Sequence, residues 1–254
     1  MTGVQTCALP IYGIEVLLGV SGRPGYVARF AGRANDPAYK AFYQDFGGPD
    51  PSRPGMGRLA HKGGTNHTDY VWLGSSDRDQ YAALNLGLST AYELVRDPQI
   101  RARVTTHVTL ILRRLIADDW RLNDGHGNQS FVTPLLATAL LRTGATVSPR
   151  EFQALYETKA RHLAEIMRPG ELPQPAVQRY HDYRPAAFSM ANLVCLARLE
   201  RSPVRRLGFQ DLCSQQWREA NCHLNPWFAA GFVSVFDSTT DPISRATLQG
   251  VLFQ

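Results

Sequence analysis

The sequence predicts an all-α fold of antiparallel helical hairpins behind a long irregular N-terminal segment. Three observations point there: apolar residues recur every three or four positions from Asp77 onward, Gly and Pro cluster between residues 12 and 76, and the periodic stretches are joined by short polar links. With 254 residues, 44% hydrophobic and 19% charged, the chain can bury one substantial core. Disordered, collagen-like and disulfide-scaffold classes are excluded.

Before Asp77, the stretches RPGYVARFAGRANDP, FGGPDPSRPGMGR and HKGGTNHTDYVWLGSS break both the helix and the strand period. Residues 1–76 are therefore expected as an irregular lead-in with one short helix from Pro37 to Tyr43. The domain proper, 77–254, opens with a helix carrying the stripe Tyr81, Leu84, Leu88, Ala91, Tyr92 and Val95, closed by Asp97-Pro98. Pro98 starts a second helix with Ile100, Val104, His107, Val108, Ile111, Leu115 and Ile116 on one side. A third is expected from Phe131 to Leu141, stopping near Gly144. A fourth starts at Ser148-Pro149, with Ser148 and Glu151 as a capping box, and runs to Met167. Three more follow at Pro185 to Glu200, Val204 to Glu219 and Pro226 to Phe236, the last capped by Asn225. Essentially no strand is expected. Short links make successive helices antiparallel neighbours, and the longer loops at Trp120 to Ser130 and Pro169 to Arg184 emerge at one end if the hairpins stack in order. The expected architecture is an α/α-hairpin array, curved as in a partial or complete toroid.

Composition narrows the function classes. The 27 basic and 22 acidic residues leave a net charge of +5, and the arginines that dominate the basic set are scattered, so no nucleic-acid partner is expected. The longest apolar run, Ala8 to Val20, is interrupted by Pro10, Gly13 and Glu15 and falls short of the roughly 18 residues of a membrane span; no membrane partner is expected. Cys7, Cys195, Cys213 and Cys222 form no C-x-x-C pair. They are expected as free buried thiols, with a Cys213–Cys222 or Cys195–Cys213 bridge only in an exported protein. No H-E-x-x-H, G-x-S-x-G, G-x-G-x-x-G or P-loop pattern occurs, which excludes the zinc-protease, α/β-hydrolase, Rossmann and P-loop classes. The stretch from Asp118 to Asn128 fails as an EF-hand: with Gly125 in the turn position, Trp120 and Leu122 would stand where ligands are required. No metal and no cofactor is expected.

The densest polar segment, His61 to Tyr81, runs into a helix N-terminus, where carboxylates are stabilised by free backbone N–H groups. Capping accounts for Ser76, Asp77, Asp79 and Gln80 but not for His67, Asp69, Trp72 and Arg78. Those residue types suit a carbohydrate: aromatic faces cover sugar C–H surfaces, while carboxylates, amides and guanidinium bind hydroxyls and acid groups. A glycosidase needs two carboxyl groups about 5–5.5 Å or 6.5–9.5 Å apart. Asp69 and Asp79 are candidates, with Asp182 or Asp124 as an opposing partner. A lyase needs a base and a neutraliser of the uronate carboxylate, for which His67, His181, Tyr183, Tyr81 and Arg78 are the inventory. Trp72, Arg78, Tyr81, Trp120, Asn221 and Trp227 are the candidate substrate contacts. Two other readings compete: a noncatalytic helical binding or structural module, and a helical pocket for an apolar ligand lined by Tyr92, His107 and Met190.

The run from Asp69 to Tyr81, with Gly87-Leu88 and the stretch Ala91 to Val95, resembles a signature of bacterial α/α-toroid proteins. In these a Trp–Gly–Ser/Thr–Ser–Asp segment opens a toroid helix and an Asn-rich stretch, here Asn221 to Asn225, lies near a later one. The likeness spans Thr68 to Asp237. Toroids of this kind include glycoside hydrolases and polysaccharide lyases, so the resemblance implies a carbohydrate-active enzyme acting on a small or polymeric glycan. A complete six-hairpin toroid has twelve helices, and seven here imply a fragment of a larger toroid protein. MTGVQTCALPI resembles a translated sequencing adapter, so residues 1–11 are expected to be non-native; an export signal upstream would make the protein secreted or periplasmic. The final VLFQ resembles the left half of a picornaviral 3C protease site, with Gly250 in the place of Glu.

Overall fold

The computed structural model describes residues 3–37, 60–74, 76–123, 129–166, 184–220 and 226–236. Helix occupies 70% of them, in eight helices, beside two small sheets. The expected helical class holds, and the strands are a correction to it. The chain divides into two compact units, one of Met1–Tyr81 with Ala91–Val132, the other of Ala82–Thr90 with Thr133–Gln254.

The first unit begins with α1, Gly3–Gly19, in sequence expected to be irregular. Ile11, Val16 and Leu18 are buried along it, so tertiary packing overrides the poor helix propensity of Pro10 and Gly13. Strands β1 (Phe30–Arg33), β2 (Ala60–Lys62) and β3 (Tyr70–Leu73) form an antiparallel sheet in the order β1-β3-β2. Three or four residues each, they are too short to display a period. Val20, Tyr26, Ala28 and Trp72 make a buried cluster, with Leu17, Ala31 and Tyr70 packed against it. The turn at Gly25 needs glycine: φ is +73°, and a Cβ would lie 2.1 Å from the Leu110 carbonyl oxygen.

Helix α2 (Arg78–Leu94) starts at a capping box in which Asp77 accepts from the Gln80 N–H at 3.3 Å and Gln80 accepts from the Asp77 N–H at 3.1 Å. Of the two caps the sequence allowed, Asp77 serves; Ser76 donates instead to the Val27 carbonyl. Helix α3 (Pro98–Ala117) has Asp97 accepting from Gln99 N–H at 2.8 Å and Ile100 N–H at 3.2 Å, with Pro98 in its first turn. Its buried face is Ile100, Val104, His107, Val108, Ile111, Leu112 and Leu115, close to the expected stripe. The hairpin β4 (Arg121–Asn123) and β5 (Gln129–Phe131) completes this unit.

In the second unit α4 (Pro134–Val147) is capped by Thr133, so Phe131, expected to start this helix, ends a strand instead. The helix also runs through Gly144, where a stop was expected, because the whole turn around it is buried. One residue, Ser148, separates α4 from α5 (Pro149–Ile166), and three separate α6 (Arg184–Leu199) from α7 (Pro203–Ala220). Links this short make each pair an antiparallel hairpin. Helix α8 (Pro226–Ser234) approaches α6 closely: a Cβ on Gly231 would sit 3.1 Å from Met190 Cγ. The predicted helix from Pro37 to Tyr43 lies, but for Pro37, outside the described residues.

The hairpins are tied by buried charge. Glu200, with no solvent exposure, accepts from the Tyr156 hydroxyl, from the Ser202 N–H at 2.8 Å and from Arg205 Nε at 3.1 Å. Arg205 also holds Glu157 at 2.8 and 3.0 Å. The Tyr156 ring lies 4.8 Å from the Arg142 guanidinium and 5.6 Å from that of Arg205. Burial, followed by the bond to Glu200, raises the Tyr156 pKa; Glu200 itself is lowered, because its bonds from Arg205, Tyr156 and Ser202 outweigh burial.

Candidate functional site

The segment that carries most of the sequence expectations is used chiefly by the fold. Trp72, 4% exposed, packs edge-on to Tyr26 at 5.7 Å and donates its indole N–H to the Lys62 carbonyl at 3.1 Å. Tyr81 is buried, hydrogen-bonds the Val27 backbone and has its pKa raised, chiefly by burial. Neither ring has a face open to a sugar, which corrects their assignment as substrate contacts. Asp77 pairs with Arg29 at 2.8 Å as well as capping α2, and Gln80 donates to the Arg29 carbonyl at 2.9 Å. Trp72, Asp77 and Tyr81 thereby fasten the lead-in to the start of α2.

His67 and Asp69 lie on a different footing, in the loop before β3 and on its approach. A turn sets them: His67 N–H donates to the Gly64 carbonyl at 2.8 Å, Tyr70 N–H to the His67 carbonyl at 2.9 Å, and Gly63 N–H to the Tyr70 carbonyl at 2.8 Å. The β1–β3 register then places Arg33 opposite Tyr70. Four side chains meet along this rim. The His67 ring stands edge-on to Tyr70 at 5.6 Å, Arg33 lies over the Tyr70 ring at 5.5 Å, and Arg33 bridges to Asp69 at 3.2 Å. Arg33 and Asp69 remain largely in water, at 61% and 58% exposure.

His67 is seated by the absence of a side chain at Gly19, where a Cβ would come within 2.8 Å of its Cε1. Its Nδ1 is buried without a hydrogen-bond partner. An imidazole, a phenol, a guanidinium and a carboxylate in one contiguous set can move a proton and bind an acidic group. Arg33 and Tyr70 were not among the residues singled out from sequence. The alternation that pairs them across β1 and β3 is the only signal, and four-residue strands hardly show it.

The remaining candidates are dispersed. Arg78 is exposed and Asp79 half-buried in the first turn of α2. Trp120 is half-buried, in the left-handed region at φ 57°. Trp227, 38% exposed in the second unit, packs edge-on to Phe228 at 5.2 Å. His181, Tyr183 and Asn221, with Asp182 and Asp124, lie outside the described residues. Of the residues expected to line an apolar pocket, Tyr92 lies under Arg101 at 4.0 Å, and Met190 is fully buried beside Gly231. His107 is buried with Nε2 3.3 Å from Glu15, whose carboxylate Arg103 holds at 2.7 and 2.6 Å. The bond from Arg103 leads in lowering the Glu15 pKa, and burial lowers that of His107. Cys195 and Cys213 are buried thiols, and no disulfide bridge joins them.

Among the described residues no group of three or more His, Cys, Asp or Glu side chains is placed to hold a metal ion, and no helix is long and apolar enough to cross a membrane. In comparisons with known proteins, no family model, no curated protein and no solved structure matches this chain.

Proposed function

We propose that the protein is a carbohydrate-active enzyme that cleaves an acidic poly- or oligosaccharide by β-elimination at the rim of His67, Tyr70, Arg33 and Asp69. The observation that carries the reading is the unbroken contact chain from imidazole to phenol to guanidinium to carboxylate. In such an elimination a base takes the proton on the carbon next to the uronate carboxylate. That electron pair forms a C=C bond, the glycosidic C–O bond on the neighbouring carbon breaks, and the leaving oxygen takes up a proton. His67 is the base in this reading and the Tyr70 hydroxyl the proton donor. Arg33 steadies the uronate carboxylate as charge builds on it, and Asp69 orients Arg33. Elimination is favoured over hydrolysis because, among the described residues, the rim contains one carboxylate, and that one is ion-paired. The paired helices of α4–α5 and α6–α7 are the building unit of α/α toroids and support the finer expectation of a partial or complete toroid.

A noncatalytic helical module is the second reading, favoured by one observation: Trp72, Asp77 and Tyr81, central to the toroid-like segment, all serve packing and capping. Turnover of the purified chain on a glycan panel separates the two. Release of reducing ends together with unsaturated-uronate absorbance supports the lyase, reducing ends alone support a hydrolase, and silence from a folded sample supports the module.

A further inference from the structure

We propose that Glu15 is a positioning residue for His67, acting through one turn of α1; this rests on the reading of His67 as the base at the rim. Glu15 is the sole charged residue of α1. It stands four residues before Gly19, so the two share a face of the helix, about 6 Å apart along the axis. At the Glu15 end of that turn the carboxylate is gripped by α3. Arg103 donates to both of its oxygens, at 2.7 and 2.6 Å, and His107 Nε2 lies 3.3 Å from one of them. Arg103 and His107 are themselves four residues apart, so successive turns of α3 close on one carboxylate.

At the Gly19 end the same helix bears on His67 twice. The imidazole lies so close that a Cβ on Gly19 would be 2.8 Å from Cε1 and 3.5 Å from either ring nitrogen. Along the backbone, the Gly64 N–H donates to the Val20 carbonyl at 2.8 Å, and the Gly64 carbonyl accepts from the His67 N–H at 2.8 Å. Because His67 Nδ1 makes no hydrogen bond, the ring is oriented by what packs on it, Gly19 and the edge-on Tyr70. The last turn of α1 therefore sets both the ring and its main chain. Buried Val16 and Leu18 hold α1 in place, but apolar contact is non-directional and fixes neither the rotation of the helix nor its height. A two-pronged guanidinium–carboxylate pair fixes both. With side chains 37% and 33% exposed, the Arg103–Glu15 pair adds little stability, so its geometric role is separable from the fold.

The test is NMR of the full chain with isotope-labelled histidine, the His67 ring signal being assigned by its loss in His67→Gln. Glu15→Gln and Arg103→Met should each move that signal, because the shift imposed by the Tyr70 ring depends on distance and angle. Each should also lower kcat about tenfold at unchanged KM, as a small misplacement of a base does. Asp97→Ala, which removes the α3 cap and lowers stability without touching the Glu15 clasp, should leave the signal and kcat as in the wild type. A His67 signal unmoved in both clasp variants overturns the proposal, as does equal movement in Asp97→Ala. Moved signals in a protein with no turnover on any glycan would sink the rim reading and leave the seating of His67 by Glu15 standing; wild-type turnover with unmoved signals in both clasp variants would do the reverse.

Discussion

Arg33 in the first unit and Arg205 in the second both pair with carboxylates, but in opposite settings. Arg33 meets Asp69 with both side chains more than half in water. Arg205 joins Glu157 to Glu200, which has no exposure, and both Arg205 and Arg142, the latter 1% exposed, stand over the Tyr156 ring. An exposed pair contributes little to stability, because water already solvates both partners. A network with a buried member is different: removing Glu200 leaves the buried Tyr156 hydroxyl without its acceptor in a medium that cannot solvate it. Ion pairs of the second kind fix helices. Those of the first leave the charged groups accessible to a ligand.

The largest expected effect is on the buried side. Glu200→Ala should cost about 3 kcal/mol in urea unfolding, because the Tyr156 hydroxyl and the Ser202 N–H lose their acceptor while Arg205 keeps Glu157. A loss below about 1 kcal/mol would mean that the network is no lock. Trp72→Ala should cost a comparable 3–5 kcal/mol or so through the cavity it leaves. Should it instead weaken glycan binding at unchanged stability, the indole would be a substrate contact after all.

The next effect is a pH dependence centred on Glu15, Arg103 and His107. Both titrating groups have folded pKa values below their ordinary ones. Such shifts favour the neutral imidazole and the charged carboxylate in the folded state. The His107 contribution is complete above its ordinary value of 6.5 and is lost as pH falls through its lower folded value. The Glu15 contribution is complete above 4.5 and is lost further into acid. Melting temperature should therefore fall on acidification, and His107→Gln should remove the upper part of that fall. An identical profile in the variant would remove His107 from the account.

The smallest stability effect is expected at Gly19. Alanine there changes helix propensity by about 1 kcal/mol or less, but its Cβ would press on the His67 ring. Melting should stay nearly constant while turnover falls severalfold, and unchanged turnover would detach the seating of His67 from the chemistry.

How much was legible in the sequence follows the same division. Helices with sustained apolar periods, such as α3, and caps such as Asp77 and Asp97 were readable because those signals are local. Strands of three or four residues were not, nor was α1, whose order comes from packing. In the segment from His61 to Tyr81, residue type singled out His67 and Asp69, which share one loop, but it could not distinguish an aromatic that binds from one that packs. Trp72 and Tyr81 fill the core, and the contact that links His67 to Arg33 runs through Tyr70, whose role depends on strand register.

The measurement closest to the central claim is the appearance of unsaturated-uronate absorbance from acidic polysaccharides, with wild type and His67→Ala compared at matched melting temperature. The account predicts steady absorbance from the wild type and a loss of at least about a hundredfold in the variant, the lower range for removing a general base. Equal rates in the two proteins, or a folded wild type that releases no unsaturated product from any acidic glycan, would contradict it.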